Sequence, residues 1–266
     1  MLIKINGIDL DYRDQGTGLP VVFLHAFPLN QQMWTDQLDT LQSRCRTISV
    51  DLRGFGRSGG SEGTVSMDQM AADVRELLTA LGVHQIVLVG LSMGGYVSLA
   101  FYRLYRETLR AMVLADTRAT EDKAEAKERR HRFAEKVERE GVSSITGEMV
   151  SALLGHTSLE RRPAVVQRVR TIIESNSPAG IAGAQRAMAA RRDSTDLLSE
   201  MDLPVLVISG AEDNLTPVAE ADSMRQAIKG ARLKVIEEAG HLSNIECPDE
   251  FSGALVEFIE SLKGGE

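Results

Sequence analysis

The sequence predicts an α/β fold: a mostly parallel, doubly wound sheet of eight strands, with a helical cap inserted between the sixth and seventh. Three observations predict it. Short runs of Val, Ile and Leu recur along the chain and stay apolar at almost every position, as strands dry on both faces require. Helical patterns alternate with these runs, which implies parallel strands joined by crossovers. One long stretch, between Ala115 and Pro204, holds helical patterns and no good strand.

The elements follow in order. Met1–Ile5 and Ile8–Arg13 alternate around Asn6-Gly7, a strong signal for a tight hairpin. Val21–Leu24, Thr47–Val50, Gln85–Val89, Ala111–Ala115, Pro204–Ser209 and Leu233–Ile236 supply the other six strands. Met67–Leu81, Met93–Tyr105, Val218–Ile228 and Pro248–Leu262 read as helices between them. Residues 117–193 are charged and helix-prone. Fifteen Lys and Arg against eleven Asp and Glu leave this segment at +4, so the formal −8 of the whole chain puts the remainder at −12. We read 117–193 as the cap and residues 1–116 and 194–266 as the core, because long insertions in compact domains tend to be functional. The alternative is a set of surface helices with no lid role. The charged run Glu121–Glu140 reads as a solvated helix with i,i+4 pairs.

Composition narrows the function classes. The 266 residues suit one large domain, and 43% hydrophobic content is enough to bury a core. The acidic balance argues against nucleic acid as a partner, since phosphate binding needs a basic face. No run approaches the ~18 apolar residues of a membrane span. The N-terminus opens on an alternating pattern rather than a basic stretch and an apolar one, so a cytoplasmic location is expected. Cys45 and Cys247 make neither a disulfide framework nor a metal quartet. No ligand cluster has metal spacing, and no Gly-x-Gly-x-x-Gly follows the first strand, so neither metal nor cofactor is expected.

Gly90-Leu91-Ser92-Met93-Gly94-Gly95 carries the chemistry. It ends a predicted strand and opens a predicted helix, the context of the Gly-x-Ser-x-Gly nucleophile elbow. The sharp turn strains the serine backbone, and glycines two before and two after keep side chains out of the neighbouring strand and helix. Ser92 then projects from the C-terminal edge of the sheet, where open α/β folds bind ligands. The helix N-terminus behind it favours a developing negative charge.

A serine hydroxyl needs a base. Of five histidines, only His241 follows a late strand through a short loop, and the order Ser, acid, His is that of this elbow's partners. The acid should follow Pro204–Ser209, in the loop Gly210–Pro217. Asp213 is our choice. Glu212 is its close rival, and Asp116, just after the preceding strand, is a further one. The acid would hold the imidazole tautomer and stabilise the imidazolium. Two backbone donors should face the oxyanion: the Met93 N–H, after the nucleophile, and the Phe27 N–H, after the third strand. His25, beside that loop, reads as a structural brace.

Together these pieces resemble the α/β-hydrolase superfamily. The matching residues are His25-Ala26-Phe27-Pro28-Leu29-Asn30, Met33-Trp34, Asp51-Leu52-Arg53-Gly54-Phe55-Gly56-Arg57-Ser58, the serine elbow, Gly210–Pro217, and Gly240-His241 with Glu246 and Pro248. Ala115-Asp116-Thr117-Arg118 and Ala189-Ala190-Arg191-Arg192-Asp193 add to the likeness. Within the superfamily the chain looks most like small bacterial esterases, 3-oxoadipate enol-lactonases and cofactor-free haloperoxidases. One departure stands out: Ala26 occupies a position where that family usually has glycine, which bears on the loop carrying Phe27.

The resemblance implies hydrolysis of a small carboxylic ester or lactone through an acyl-enzyme, with Trp34, Met93, Leu215 and Leu242 as candidate pocket walls. Peroxide in place of water would make the same machinery a perhydrolase or haloperoxidase. Carbon–carbon bond hydrolysis is a further enzymatic reading, although that group usually shows asparagine where this chain has Leu91. A non-catalytic protein that binds a hydrophobic small molecule is the reading from a different class, since fold alone never proves function.

Overall fold

Asn6 and Gly7 both sit in the left-handed region, at φ 46° and 81°, which is what a two-residue hairpin turn demands. They join β1 (Leu2–Ile5) to β2 (Ile8–Gln15), with Ile5 opposite Ile8. The structure is a computed structural model and describes residues 1–60 and 65–262. Six further strands follow: β3 (Pro20–Leu24), β4 (Arg46–Val50), β5 (Ile86–Leu91), β6 (Leu109–Ala115), β7 (Val205–Gly210) and β8 (Arg232–Ile236). Among the described residues all eight form one sheet in the order β1-β2-β4-β3-β5-β6-β7-β8. The first two strands run antiparallel to their neighbours and the rest are parallel. Each strand starts within two residues of its sequence-predicted position.

Val21, Val22, Phe23 and Leu24 are fully buried, and every residue of β5 and β7 is buried too. Helices cover both faces to achieve this. They are α1 (Thr35–Leu41), α2 (Met67–Ala80), α3 (Met93–Tyr105), and further helices late in the chain. Every residue of 117–193 is described, and the segment holds five helices and no strand: α4 (Ala124–Glu140), α5 (Ser143–Leu153), α6 (His156–Arg161), α7 (Pro163–Glu174) and α8 (Pro178–Ala189). Helix α4 packs on α8, and α5 on α7. Only Ala134 and Val137 of α4 are buried, so its many charges stay in water, as the sequence implies. The late helices are α9 (Thr195–Leu198), α10 (Val218–Ala227), α11 (Ser243–Glu246) and α12 (Pro248–Ser261).

The register decides where the site lies. Leu24 pairs with Gly90, Leu91 with Ala115, and Gly210 with Ile236, so the C-terminal ends of five strands reach one edge. The strand order switches direction between β3 and β5, and such a switch point opens a crevice for ligand. Phe27 follows one of those two strands and Ser92 the other.

Candidate active site

Ser92 is the N-cap of α3 and holds φ 54°, ψ −112°, a conformation that L-residues avoid. Its N–H donates to the Ala115 carbonyl at 2.9 Å, and its own carbonyl accepts the Thr117 hydroxyl at 2.9 Å. These two bonds pin the turn to the end of β6. The flanking glycines are there because backbone crosses close by. A Cβ on Gly90 would lie 2.3 Å from the Gly94 carbonyl oxygen, and one on Gly94 would lie 2.1 Å from that of Leu24.

The Ser92 hydroxyl reaches His241 Nε2 at 2.7 Å. On the other side of the ring, His241 Nδ1 lies 2.7 Å from Asp213 Oδ2. All three residues are buried, and the side-chain exposure of His241 and Asp213 is 3% and 0%, so the carboxylate is the dry end of the chain. Asp213 also accepts the N–H groups of Leu215 and Thr216 at 2.8 and 3.0 Å, and the Thr216 hydroxyl at 2.6 Å. Burial works against its charge. The charge and hydrogen bond of His241, together with the Thr216 donors, outweigh burial and hold the carboxyl below its usual range. Burial likewise opposes a charge on His241, but Asp213 overcomes it and holds the imidazole above its usual range.

The two rival acids point elsewhere. Glu212 faces α6, where it accepts the Thr157 N–H at 2.9 Å and the Thr157 hydroxyl at 2.5 Å, and lies 3.0 Å from His156 Nδ1. Asp116 accepts the Gly210 N–H at 2.8 Å through one oxygen and bonds the Ser243 hydroxyl through the other. Burial and the neighbouring Asp213 charge push its carboxyl up to about 8, so it is uncharged near neutral pH.

The loop after β3 is braced by His25. The ring Nδ1–H donates to the Ala26 carbonyl and Nε2 accepts the Leu52 N–H, both at 3.0 Å. Burial lowers this imidazole to about 4, so it stays neutral. Ala26 fits without exposure, its N–H directed at the Met33 sulfur at 3.2 Å. The N–H groups of Phe27 and Met93 have no acceptor among the described residues. Both therefore remain available as donors beside Ser92.

A cavity of about 570 Å³ opens over Ser92 and His241. Leu215 lines it and is 42% exposed at its rim. Trp34, Leu242 and the Met93 side chain do not line it, which corrects the expected pocket wall. Trp34 is fully buried in the core, with ring centroids 5.2 Å from Phe23 and 5.9 Å from Phe251. Leu242 and Met93 are also fully buried. Each follows a site residue in sequence but packs into the hydrophobic core. The wall comes instead from Phe27, Tyr96, Phe133, Met149 and Met188, with arginines of α4 at the rim. Sequence reading missed the α4, α5 and α8 residues, which carry no local motif. Tyr96 had a signal, since it stands one helical turn after Ser92.

The helices above the sheet are tied to the site loops. Glu246 accepts the Gly240 N–H with one oxygen and the Gly155 N–H with the other, both at 2.9 Å. Asn176 donates to the Pro28 carbonyl at 2.9 Å and accepts the Gly56 N–H at 2.8 Å. Among the described residues no group of three or more His, Cys, Asp or Glu could hold a metal ion, and no helix is long and apolar enough to cross a membrane.

Residues 20–248 match the family described as alpha/beta hydrolase fold. A solved thermophilic esterase from Thermogutta terrifontis superposes with a TM-score of 0.96 at 42% identity, covering 98% of this chain and 99% of its own. A 3-oxoadipate enol-lactonase from Acinetobacter baylyi is 30% identical over 235 residues, which span 88% of this chain and 86% of the relative. A non-heme haloperoxidase from Rhodococcus erythropolis is 30% identical over 273 residues, 96% of this chain and 97% of the relative.

Proposed function

Because the chain belongs to the α/β-hydrolase fold family, we propose that it cleaves small carboxylic esters or lactones through an acyl-enzyme on Ser92. One observation carries this reading: the unbroken hydrogen-bonded chain from Ser92 through His241 to Asp213, with 2.7 Å at each link, opening on the 570 Å³ cavity. The likeness to an esterase and to an enol-lactonase supports the same class of substrate.

Ser92 Oγ attacks the substrate carbonyl as its proton passes to His241 Nε2. Asp213 keeps the other imidazole nitrogen protonated and stabilises the cation that forms. The oxyanion lies toward the Phe27 and Met93 N–H groups, each of which would be worth about 3 kcal/mol in the transition state. Collapse expels the alcohol oxygen, which takes the proton from His241. Water repeats the sequence on the acyl-enzyme and releases the acid, leaving Ser92 protonated again. Residues 117–193 act in this scheme as a cap whose helices shape the acyl and alcohol subsites.

The test is hydrolysis of p-nitrophenyl acetate, butyrate and octanoate by wild type and Ser92→Ala in parallel. We expect turnover by wild type alone, with the variant reduced about 10⁵-fold or more. Equal rates for the two proteins would refute the assignment. The likeness to the haloperoxidase favours a second reading, in which hydrogen peroxide replaces water at the acyl-enzyme. Peracid formation from acetate ester and peroxide, lost in Ser92→Ala, would reveal it.

A further inference from the structure

Behind Tyr96 lies a second cavity of about 260 Å³, set between the start of α2, the middle of α3 and the end of α8. Arg103, Arg118, Arg191 and Arg192 line it. Tyr96 and Arg118 also line the cavity at Ser92, so they form the wall between the two.

The arginines here outnumber their partners. Asp68 takes Arg103. Buried Asp122 takes Arg118 at 2.6 Å, Arg191 at 2.8 Å, and Arg130 from α4. Asp193 makes no ion pair here: it accepts the N–H groups of Glu121 and Thr195 at 2.9 and 2.8 Å and feels Arg191 only through space. Four guanidiniums thus line a cavity whose only direct carboxylate ion pairs among the described residues are with Asp68 and Asp122, while Asp193 acts on Arg191 and Glu220 on Arg118 through space. Burial works against the Asp122 charge, but Arg191 and Arg130 outweigh it and hold the carboxyl well below its usual range. Its single charge is shared among three guanidiniums.

Part of the donor capacity of these guanidiniums is unspent. Arg118 spends one of its five N–H groups on Asp122, and its Nε–H has no acceptor among the described residues. Arg191 is 7% exposed and stacks on the Tyr96 ring, 4.2 Å from its centroid; its terminal N–H groups go to Asp122 and to the Met188 and Thr120 carbonyls at 3.0 and 2.7 Å, and its Nε–H alone has no acceptor among the described residues. Arg192 makes no hydrogen bond or ion pair among the described residues. Unbalanced, partly dry positive charge is costly unless a counter-charge arrives, and planar guanidiniums bind carboxylate and phosphate oxygens in pairs.

We propose that this cavity binds a small oxyanion, a carboxylate or phosphate group, on Arg118, Arg191 and Arg192. The oxyanion has two possible sources. It is a free anion occupying the cavity beside the substrate, or it is the acid tail of an ester whose carbonyl sits at Ser92. Only the second source rests on the hydrolase reading above.

Arg192→Gln tests the site with little risk to the fold, because the exposed side chain has no partner to lose. For a free anion, inorganic phosphate at constant ionic strength should raise Tm of wild type by about 3 °C at roughly ten times its Kd. Arg192→Gln should lose at least half of that shift. For an acid tail, kcat/KM for p-nitrophenyl hydrogen glutarate should exceed that for p-nitrophenyl valerate by about tenfold or more. That preference should shrink in Arg192→Gln, and phosphate should compete with glutarate but not with valerate. A thermal shift without substrate preference identifies a free anion, and a preference identifies the acid tail. Neither effect, or the same effects undiminished in Arg192→Gln, overturns the proposal. Phosphate stabilisation without turnover of any ester would sink the hydrolase reading and leave the anion site standing.

Discussion

The backbone N–H of His241 donates to the carbonyl of Leu153 at 3.0 Å, so the imidazole loop hangs from the last turn of α5. Glu246 reinforces this link by joining Gly240 to Gly155 across the same gap. The helices above the sheet and the loop bearing His241 are therefore one mechanical unit. Glu246→Gln puts an amide donor against N–H groups that need an acceptor. The expected loss is about 1–3 kcal/mol of stability, with a fall in kcat/KM on every ester as His241 shifts. Thermal unfolding and steady-state kinetics on the same preparation check this. A lower Tm with unchanged kcat/KM would show that the loop does not depend on this bond.

The adjacent carboxylates Glu212 and Asp213 should separate cleanly in kinetics. Asp213→Asn removes the acceptor of the Nδ1–H and should cost about 10⁴ in kcat. Glu212→Gln touches only the Thr157 and His156 contacts and should stay within about tenfold of wild type. A larger loss in Glu212→Gln than in Asp213→Asn would move the acid to Glu212.

Activity and stability should respond to pH in opposite directions through His241. As the proposed base, His241 works when neutral, so kcat/KM should rise with pH through its folded pKa, which lies above the ordinary imidazole value. The stability that comes from the Asp213 contact runs the other way. A histidine raised on folding contributes fully below its unfolded pKa of about 6.5, and that contribution is lost as pH rises through the folded pKa. A pH–rate profile should therefore show its acid limb above pH of about 6.5, shifted down in Asp213→Asn. An identical limb in both proteins would detach it from this pair.

Asp116 carries its own pH signature. Its carboxyl is raised to about 8 by burial and by Asp213, so its ionisation in the folded state is resisted. Its stabilising effect is complete below the unfolded value of about 3.9 and is lost as pH rises through about 8. Asp116→Asn keeps a carbonyl for the Gly210 N–H and has no charge to bury. The difference in Tm between variant and wild type should grow in favour of the variant from pH 5 to pH 9. A constant difference would mean that Asp116 is already ionised across this range.

Trp34 and Leu215 give opposite tests of the pocket. Trp34→Ala empties a site in the core and should cost about 3–5 kcal/mol, with substrate chain-length preference unchanged. Leu215→Ala sits at the cavity rim, so stability should change by less than about 0.5 kcal/mol while KM for the octanoate ester rises. Chain-length profiles and unfolding curves on both variants decide the matter. A changed profile in Trp34→Ala would return that residue to the pocket.

The sequence by itself determined the strand order along the chain, the alternation of helix and strand, the turn at Asn6-Gly7 and the strained elbow at Ser92. These are legible because hydrophobic period, turn chemistry and glycine placement act between residues close in sequence. It also placed His241 at the end of a late strand, since parallel strands bring their C-terminal loops to one edge whatever the helices between them do. Tertiary structure alone decided which carboxylate meets the imidazole. Glu212 and Asp213 are adjacent, and only the turn held by the Leu215 and Thr216 N–H groups sends one inward and the other to α6. It alone buried Trp34 and Leu242 and brought Phe133, Met149 and Met188 over Ser92. The reason is the same in each case: the direction of a side chain at a loop or on a docked helix is set by packing between segments far apart in the chain, and no local pattern records it.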